Sequence, residues 1–314
     1  MSKGKHIPKE KNNYLLMGIF DGHGTLGHAI ATYAATYLPQ LLVQNLNSAF
    51  QLQGGGKDKE DEDAKIQKIL SQTFLQMDEQ ILKLPKDTFD GGCTASLIFR
   101  YTPPLQQRQH HHHDNNKVYI ANAGDSQTLV AAYVPSTKTV FLLYQSRMDK
   151  PHLPTEKSRI EKSGGSVYIP QDDGPGYLNE TSRVWASTAD GQMYGLAMSR
   201  SLGDGDSKLV GVIADPIVDV LDLNKMKKEV RKKIASGGDD HGKKEQVELF
   251  AVVASDGIYD RIEPYEVVRH LSQSLYLSDD SNNGGDDKTD STTLLEACEQ
   301  LIMKSSELWV NWTS

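Results

Sequence analysis

Short runs of β-branched and aromatic residues, bounded by turn-forming residues, recur along the chain and predict strands. They are Tyr14–Phe20, Thr94–Arg100, Lys117–Ala121, Thr128–Tyr133, Val140–Tyr144, Val167–Ile169, Ile217–Leu221 and Leu249–Ala254. Two longer stretches carry apolar side chains near helical spacing. Gly27–Asn45 has Ile30, Ala34, Tyr37, Leu38, Leu41 and Leu42, and Ala64–Leu82 has Ile66, Ile69, Leu70, Phe74, Met77 and Ile81. Glu156–Ser163, Pro264–Ser274 and Leu294–Trp309 are further helical patterns. Between residues 94 and 144 the strands arrive in consecutive pairs with no helix between them. That order favours antiparallel sheet with helices packed outside, an α+β layout, over a doubly wound parallel sheet.

Polar tracts interrupt this pattern. Segments near 53–63, 103–116, 236–245 and 278–293 are rich in Gly, Asp, Ser, Gln or His. Such tracts bury too little apolar area to offset their ordering entropy, so they are expected to be disordered insertions within a single domain spanning 1–314. The run His110–His113 has the composition of a transition-metal binder, but its setting reads as a low-complexity loop tip.

The 314 residues are 38% hydrophobic and 24% charged, enough for a sizeable core. A net charge of −8 argues against a nucleic-acid partner held through phosphate contacts. Two cysteines, Cys93 and Cys298, make no disulfide framework, and a reducing compartment, cytoplasmic or nuclear, is expected. No apolar run approaches the ~20 residues of a membrane helix, and the first residues lack a signal-peptide core, so no membrane association is expected.

The acids are the informative feature. Asp21 follows the run Tyr14–Phe20, Asp125 follows Val118–Asn122, and Asp256 follows Phe250–Ala254, each beside a glycine. One such acid is an ordinary turn. Three, on three strands that can end at one edge, would repel one another unless a cation neutralised them. With no His/Cys spacing nearby, a hard cation with oxygen ligands, Mg²⁺ or Mn²⁺, is the natural candidate. Gly22 lets the backbone approach a ligand, so its carbonyl is a further candidate ligand, and His23 is placed to donate a proton to a leaving group.

These residues carry a resemblance. Six blocks stand in order: G-I-F-D-G-H-G at 18–24, G-G-C-T-A-S at 91–96, A-N-A-G-D-S at 121–126, K-P…E…R-I…S-G-G-S-V at 150–167, L-A-M-S-R-S-L-G-D at 196–204 and A-S-D-G-I-Y-D at 254–260. Together they resemble the metal-dependent protein serine/threonine phosphatases of the PPM (PP2C) family. The resemblance implies a four-layer αββα sandwich, two antiparallel sheets flanked by helices, with a centre of two or more Mg²⁺ or Mn²⁺ ions at one end. It implies metal ligands at Asp21, Gly22 and Asp256, a looser ion near Asp125 and Asp260, and a proton donor at His23. Asp204 belongs to a shared block but is not read as a ligand. Phosphoserine and phosphothreonine proteins would be the substrates, the chain would act as a monomer, and a flap would fall within Ser158–Ser187.

The chain departs from the family pattern at its ends. No Arg precedes Asp21, whereas the family carries a phosphate-gripping Arg and an acidic pair on an earlier strand. The family's final metal-binding Asp also has no counterpart before Ser314. Strands are therefore expected to be missing at both ends. Two other readings compete. A pseudophosphatase, a binding module on the same fold, would explain the departures but not the retained acids. A serine hydrolase would use Ser126 of Gly124-Asp125-Ser126 with His152 of Asp149-Lys150-Pro151-His152, but both motifs lie mid-chain, with their aspartates 24 residues apart.

Overall fold

The computed structural model describes residues 13–51, 61–84, 91–102, 116–170, 181–187, 191, 193–235, 245–277 and 289–313. Strand β1 (Asn13–Ile19) pairs antiparallel with β4 (Ala95–Thr102), which pairs with β5 (Lys117–Ala123), which pairs with β12 (Ile217–Asp222). A second antiparallel sheet has the order β13 (Glu248–Ala254), β6 (Gln127–Val134), β7 (Thr139–Gln145).

Period-two alternation decides which layer each side chain enters. Leu97, Phe99 and Tyr101 of β4, with Tyr119 and Ala121 of β5, face α1 (Gly27–Gln51) and α2 (Glu62–Ile81). Ile98, Val118 and Ile120 point the other way, into a cluster with Tyr144 and Val253 of the second sheet. That sheet's outer residues Leu129 and Ala131 pack under α7 (Pro264–Leu277) and α8 (Thr289–Thr313), against Val267, Val268, Leu271, Ala297 and Leu301. The order helix, sheet, sheet, helix is the αββα layering that the resemblance implied.

Three small elements matter for the site. The strands β2 (Gly22–Gly24), β3 (Gly91–Cys93) and β11 (Leu202–Gly203) form a short sheet at one end of the sandwich. A third sheet, β8 (Ser166–Tyr168), β9 (Arg183–Ser187) and β10 (Met193–Leu196), packs Val167, Val184 and Leu196 onto Ile160 of α3 (Pro154–Lys162). Its register sets Arg183 opposite Tyr168 and Trp185 opposite both Ser166 and Gly195, all on the other face. The remaining elements are the short helices α4 (Gly205–Lys208) and α6 (Asp256–Tyr259) and the helix α5 (Leu223–Ala235).

The polar insertions need correction at their edges. Asp61 caps α2 by accepting from the Asp63 amide, and Glu62 and Asp63 begin that helix. Lys117 and Tyr119 both donate to Asp63. Asn116 donates to Asn224 (2.6 Å), and Glu245 accepts from Ser136 (2.6 Å). Residues 289–293 lie in α8. Each edge residue is held by a partner or a helix that composition does not reveal. The rest of those segments, including His110–His113, lies outside the described residues. Among the described residues no helix is long and apolar enough to cross a membrane.

Candidate active site

The strand ends converge on a cavity of about 420 Å³ lined by Asp21, His23, Thr94, Asp125, Asp204 and Asp256, together with Arg183 and the residues 194–198. Four of the six residues named from the sequence, Asp21, His23, Asp125 and Asp256, therefore meet around one space. Gly22 and Asp260 are not among its lining residues.

Asp21 sits just past the end of β1 in a two-way clamp. Its amide donates to Thr94 Oγ1 (3.1 Å), and the Thr94 amide donates to the Asp21 carbonyl (2.9 Å). Gly22 is glycine because α1 starts against it: an added Cβ would lie 2.3 Å from the Gly27 carbonyl oxygen. Asp125 follows Gly124, whose φ of 121° few other residues adopt and whose absent Cβ would meet Thr94 at 2.7 Å. Lys150 donates to Asp125 Oδ2 (2.8 Å), and both side chains are nearly buried. Asp256 opens α6 directly after β13.

The sequence alone did not assign a partner to His23. The structure provides one in Asp204, 181 residues away, whose two carboxylate oxygens lie 2.9 and 2.8 Å from His23 Nε2. A carboxylate only accepts, so Nε2 carries the proton and donates. Asp204 is 3% exposed and stands in the left-handed region at φ 53°, its amide held by the Gly91 carbonyl (2.8 Å). Gly92 makes room for it, since a Cβ there would fall 2.2 Å from Asp204 Oδ2.

The electrostatics are those of a carboxylate cluster short of positive charge. Burial, then the negative charge of Asp125, raises the pKa of Asp21. Burial, with Asp125, Asp260 and Asp21 adding repulsion, pushes Asp256 up to about 7, against the opposing pull of Lys150. Asp260 is raised by burial, with Lys150 pulling the other way. Burial disfavours the charged His23 ring, but the hydrogen bond and charge of Asp204 outweigh it and leave the pKa above the usual value. Among the described residues no three His, Cys, Asp or Glu side chains are already drawn together at ligand positions. The donor set nevertheless fits a hard divalent cation. It consists of oxygen donors that destabilise one another while uncompensated, and that a positive ion would hold in their charged form.

The serine-hydrolase reading fails on geometry. Ser126 is fully buried with its hydroxyl 2.6 Å from Thr94 Oγ1. His152 pairs instead with Ser182 at 2.9 Å.

Residues 2–230 match the family described as "Protein phosphatase 2C". The chain belongs to the protein phosphatase 2C family. It is 29% identical over 277 residues to "Probable protein phosphatase 2C 1" of Arabidopsis thaliana, covering 82% of this chain and 51% of that one. It is 29% identical over 266 residues to "Protein phosphatase 1L" of Bos taurus, covering 84% and 57%. The chain thus spans about half to three fifths of the length of these two relatives. Among solved structures, the serine-threonine phosphatase 2C from Toxoplasma gondii superposes with a TM-score of 0.57 at 18% identity, covering 94% of this chain and 81% of that one. That likeness is one of fold: the mixed α+β architecture is the family's.

Next to the Asp125 loop lies a buried charge network that residue patterns do not announce. Glu156 is fully buried and accepts from Arg147 and Arg200 at 3.2 and 2.9 Å, with Arg159 2.7 Å away. Burial opposes its charge, but the Arg200 and Arg159 guanidiniums hold its pKa far below the usual carboxylate range. Asp149, with Arg147 beside it, accepts from the Gly124 amide (3.1 Å) and so ties the network to the Asp125 loop.

Proposed function

We propose that this chain hydrolyses phosphoserine and phosphothreonine in proteins by a metal-dependent route. The observation that supports it best is the meeting of Asp21, Asp125 and Asp256 around one cavity with His23 held by a buried Asp204. In this reading Asp21, Asp256 and the Gly22 carbonyl hold Mg²⁺ or Mn²⁺. Asp125 and Asp260 would hold a further, looser ion, for which Asp125 would have to give up its pairing with Lys150. The ions supply Lewis acidity and make hydroxide available near neutral pH.

The chain's own residues then do two things. The clamp on Asp21 and the short helix that Asp256 opens hold these two acids in place, so that a group bound between them would be oriented for reaction. Asp204 favours the charged, proton-bearing form of His23, which lines the same cavity. As the water oxygen bonds to phosphorus, the bond to the serine or threonine oxygen breaks, and His23 gives that oxygen its proton. The water's surplus proton leaves to solvent.

Release of phosphate from a phosphothreonine peptide is the test. The reading expects turnover with Mn²⁺, loss of it with EDTA, and loss in Asp21→Asn. Tight Mn²⁺ binding without turnover of any phosphopeptide would favour the binding-module reading instead.

A further inference from the structure

We infer that Arg183, on the middle strand of the small third sheet, is the cation that receives the substrate's phosphate. The inference rests on the phosphatase reading above.

A cavity built to hold cations among carboxylates still has to admit a dianionic phosphate, and a positive side chain on its wall offsets that repulsion. The cationic side chains nearby are mostly committed elsewhere. Lys150 is paired with Asp125. Arg147 and Arg200 are bound into the Glu156 and Asp149 network, and Arg200 also donates to the Asp215 carbonyl (2.6 Å). His23 is spent on Asp204. Among the described residues, Arg183 is the one arginine or lysine lining the cavity.

Its placement is built rather than incidental. Along β9 the residues alternate exposed and buried, so Arg183 stands on the outward face. Its Nη1 donates to the Gly195 carbonyl (2.8 Å), and Gly195 also lines the cavity. A Cβ on Gly195 would lie 2.9 Å from Arg183 Cδ, so the glycine lets the stem lie flat across β10. One nitrogen of the fork is thereby anchored. The rest of the planar guanidinium is left to meet two phosphate oxygens, the geometry in which Arg binds phosphate best. The same cavity is lined by the acids and His23, so Arg183 and the proton donor border one space.

The test uses Mn²⁺-loaded protein, p-nitrophenyl phosphate as substrate and inorganic phosphate as inhibitor. Arg183→Ala is expected to raise the inhibition constant of phosphate and the KM roughly tenfold or more, the loss of charge-assisted hydrogen bonds. Mn²⁺ affinity by calorimetry is expected to stay within about twofold, because Arg183 touches no carboxylate ligand. Arg183→Lys should recover much of the phosphate affinity, and Arg183→Met, which keeps the stem over Gly195 without the charge, should not. An unchanged inhibition constant in Arg183→Ala, or equal recovery by Lys and Met, overturns the inference. If the wild-type protein turns over no substrate, the functional reading fails separately, and calorimetry of phosphate binding still decides. Heat lost in Arg183→Ala supports the role. Equal affinity in both proteins, or no phosphate binding by the wild type, overturns it.

Discussion

Trp309 donates its indole N–H to the carbonyl of Gly257 (2.9 Å), one residue past Asp256. Ser305 donates to the same carbonyl, and the Arg261 guanidinium lies 3.5 Å over the Trp309 ring. A helix at the far end of the sequence thus fixes the turn that aims a candidate metal ligand. Trp309→Phe keeps an aromatic ring under Arg261 and removes only the N–H. The expected result is a stability loss of about 1 kcal/mol together with a several-fold weaker Mn²⁺ affinity by calorimetry. A lower melting temperature with unchanged Mn²⁺ affinity would mean that the contact holds the helix but not the site.

Asp204→Asn should separate proton donation from metal binding. Without the carboxylate, the pKa of His23 falls, and the ring loses its proton at a lower pH. Turnover of a phosphothreonine peptide is then expected to decline from a lower pH upward, by roughly 10²-fold or more at neutral pH. Turnover of p-nitrophenyl phosphate, whose leaving group needs no proton, should change far less. Equal losses on both substrates would show that Asp204 acts through the fold of the site.

The carboxylate cluster predicts an unusual pH dependence in the absence of metal. Asp256 titrates near 7 in the folded chain against a usual 3.8, so between those values the folded state binds more protons than the unfolded one. Its contribution therefore destabilises the metal-free protein progressively as pH rises from about 4 to about 7. Asp256→Asn removes that term. It is expected to raise the metal-free melting temperature at pH ~7.5 by a few degrees, with the gain shrinking toward pH ~4.5, and to abolish the rise that Mn²⁺ gives the wild type. A variant less stable than wild type at both pH values would contradict this.

The low-complexity segment between β4 and β5 should be dispensable. Those strands are antiparallel neighbours, so their register is carried by Ala95–Phe99 against Tyr119–Ala123. Deleting Leu105–Asp114 is expected to leave Mn²⁺ affinity unchanged and stability within about 1 kcal/mol, since closure cost depends weakly on loop length. A marked fall in Mn²⁺ affinity would assign the histidine run a role.

What the sequence made legible follows from how far each feature reaches. The strands of the two large sheets announced themselves through runs such as Thr128–Tyr133, realised as Gln127–Val134. The αββα layering came through the six blocks of the resemblance. Arg183–Ser187 was missed because it is short and exposes alternate residues, and Met193–Leu196 because it is only four residues long and leaves Met193 60% exposed. Leu223–Ala235 was missed because its lysines mask a face whose one buried residue is Val230. The partners that tune the site, Asp204 on His23 and Lys150 on Asp125, are contacts across long sequence separations, and residue type alone does not announce them.

Among the described residues, β1 pairs with β4 alone and β13 with β6 alone, so Asp21 and Asp256 both hang from border strands. Border strands are the first part of a sheet to fray, at a free energy below that of global unfolding. A cation shared by those two acids would act as a stitch between the fraying borders of the two sheets, and its departure would loosen both together. Amide hydrogen exchange along Asn13–Ile19 and Glu248–Ala254 should therefore slow in concert on adding Mn²⁺, while the exchange of Lys117–Ala123, flanked on both sides, stays as it was.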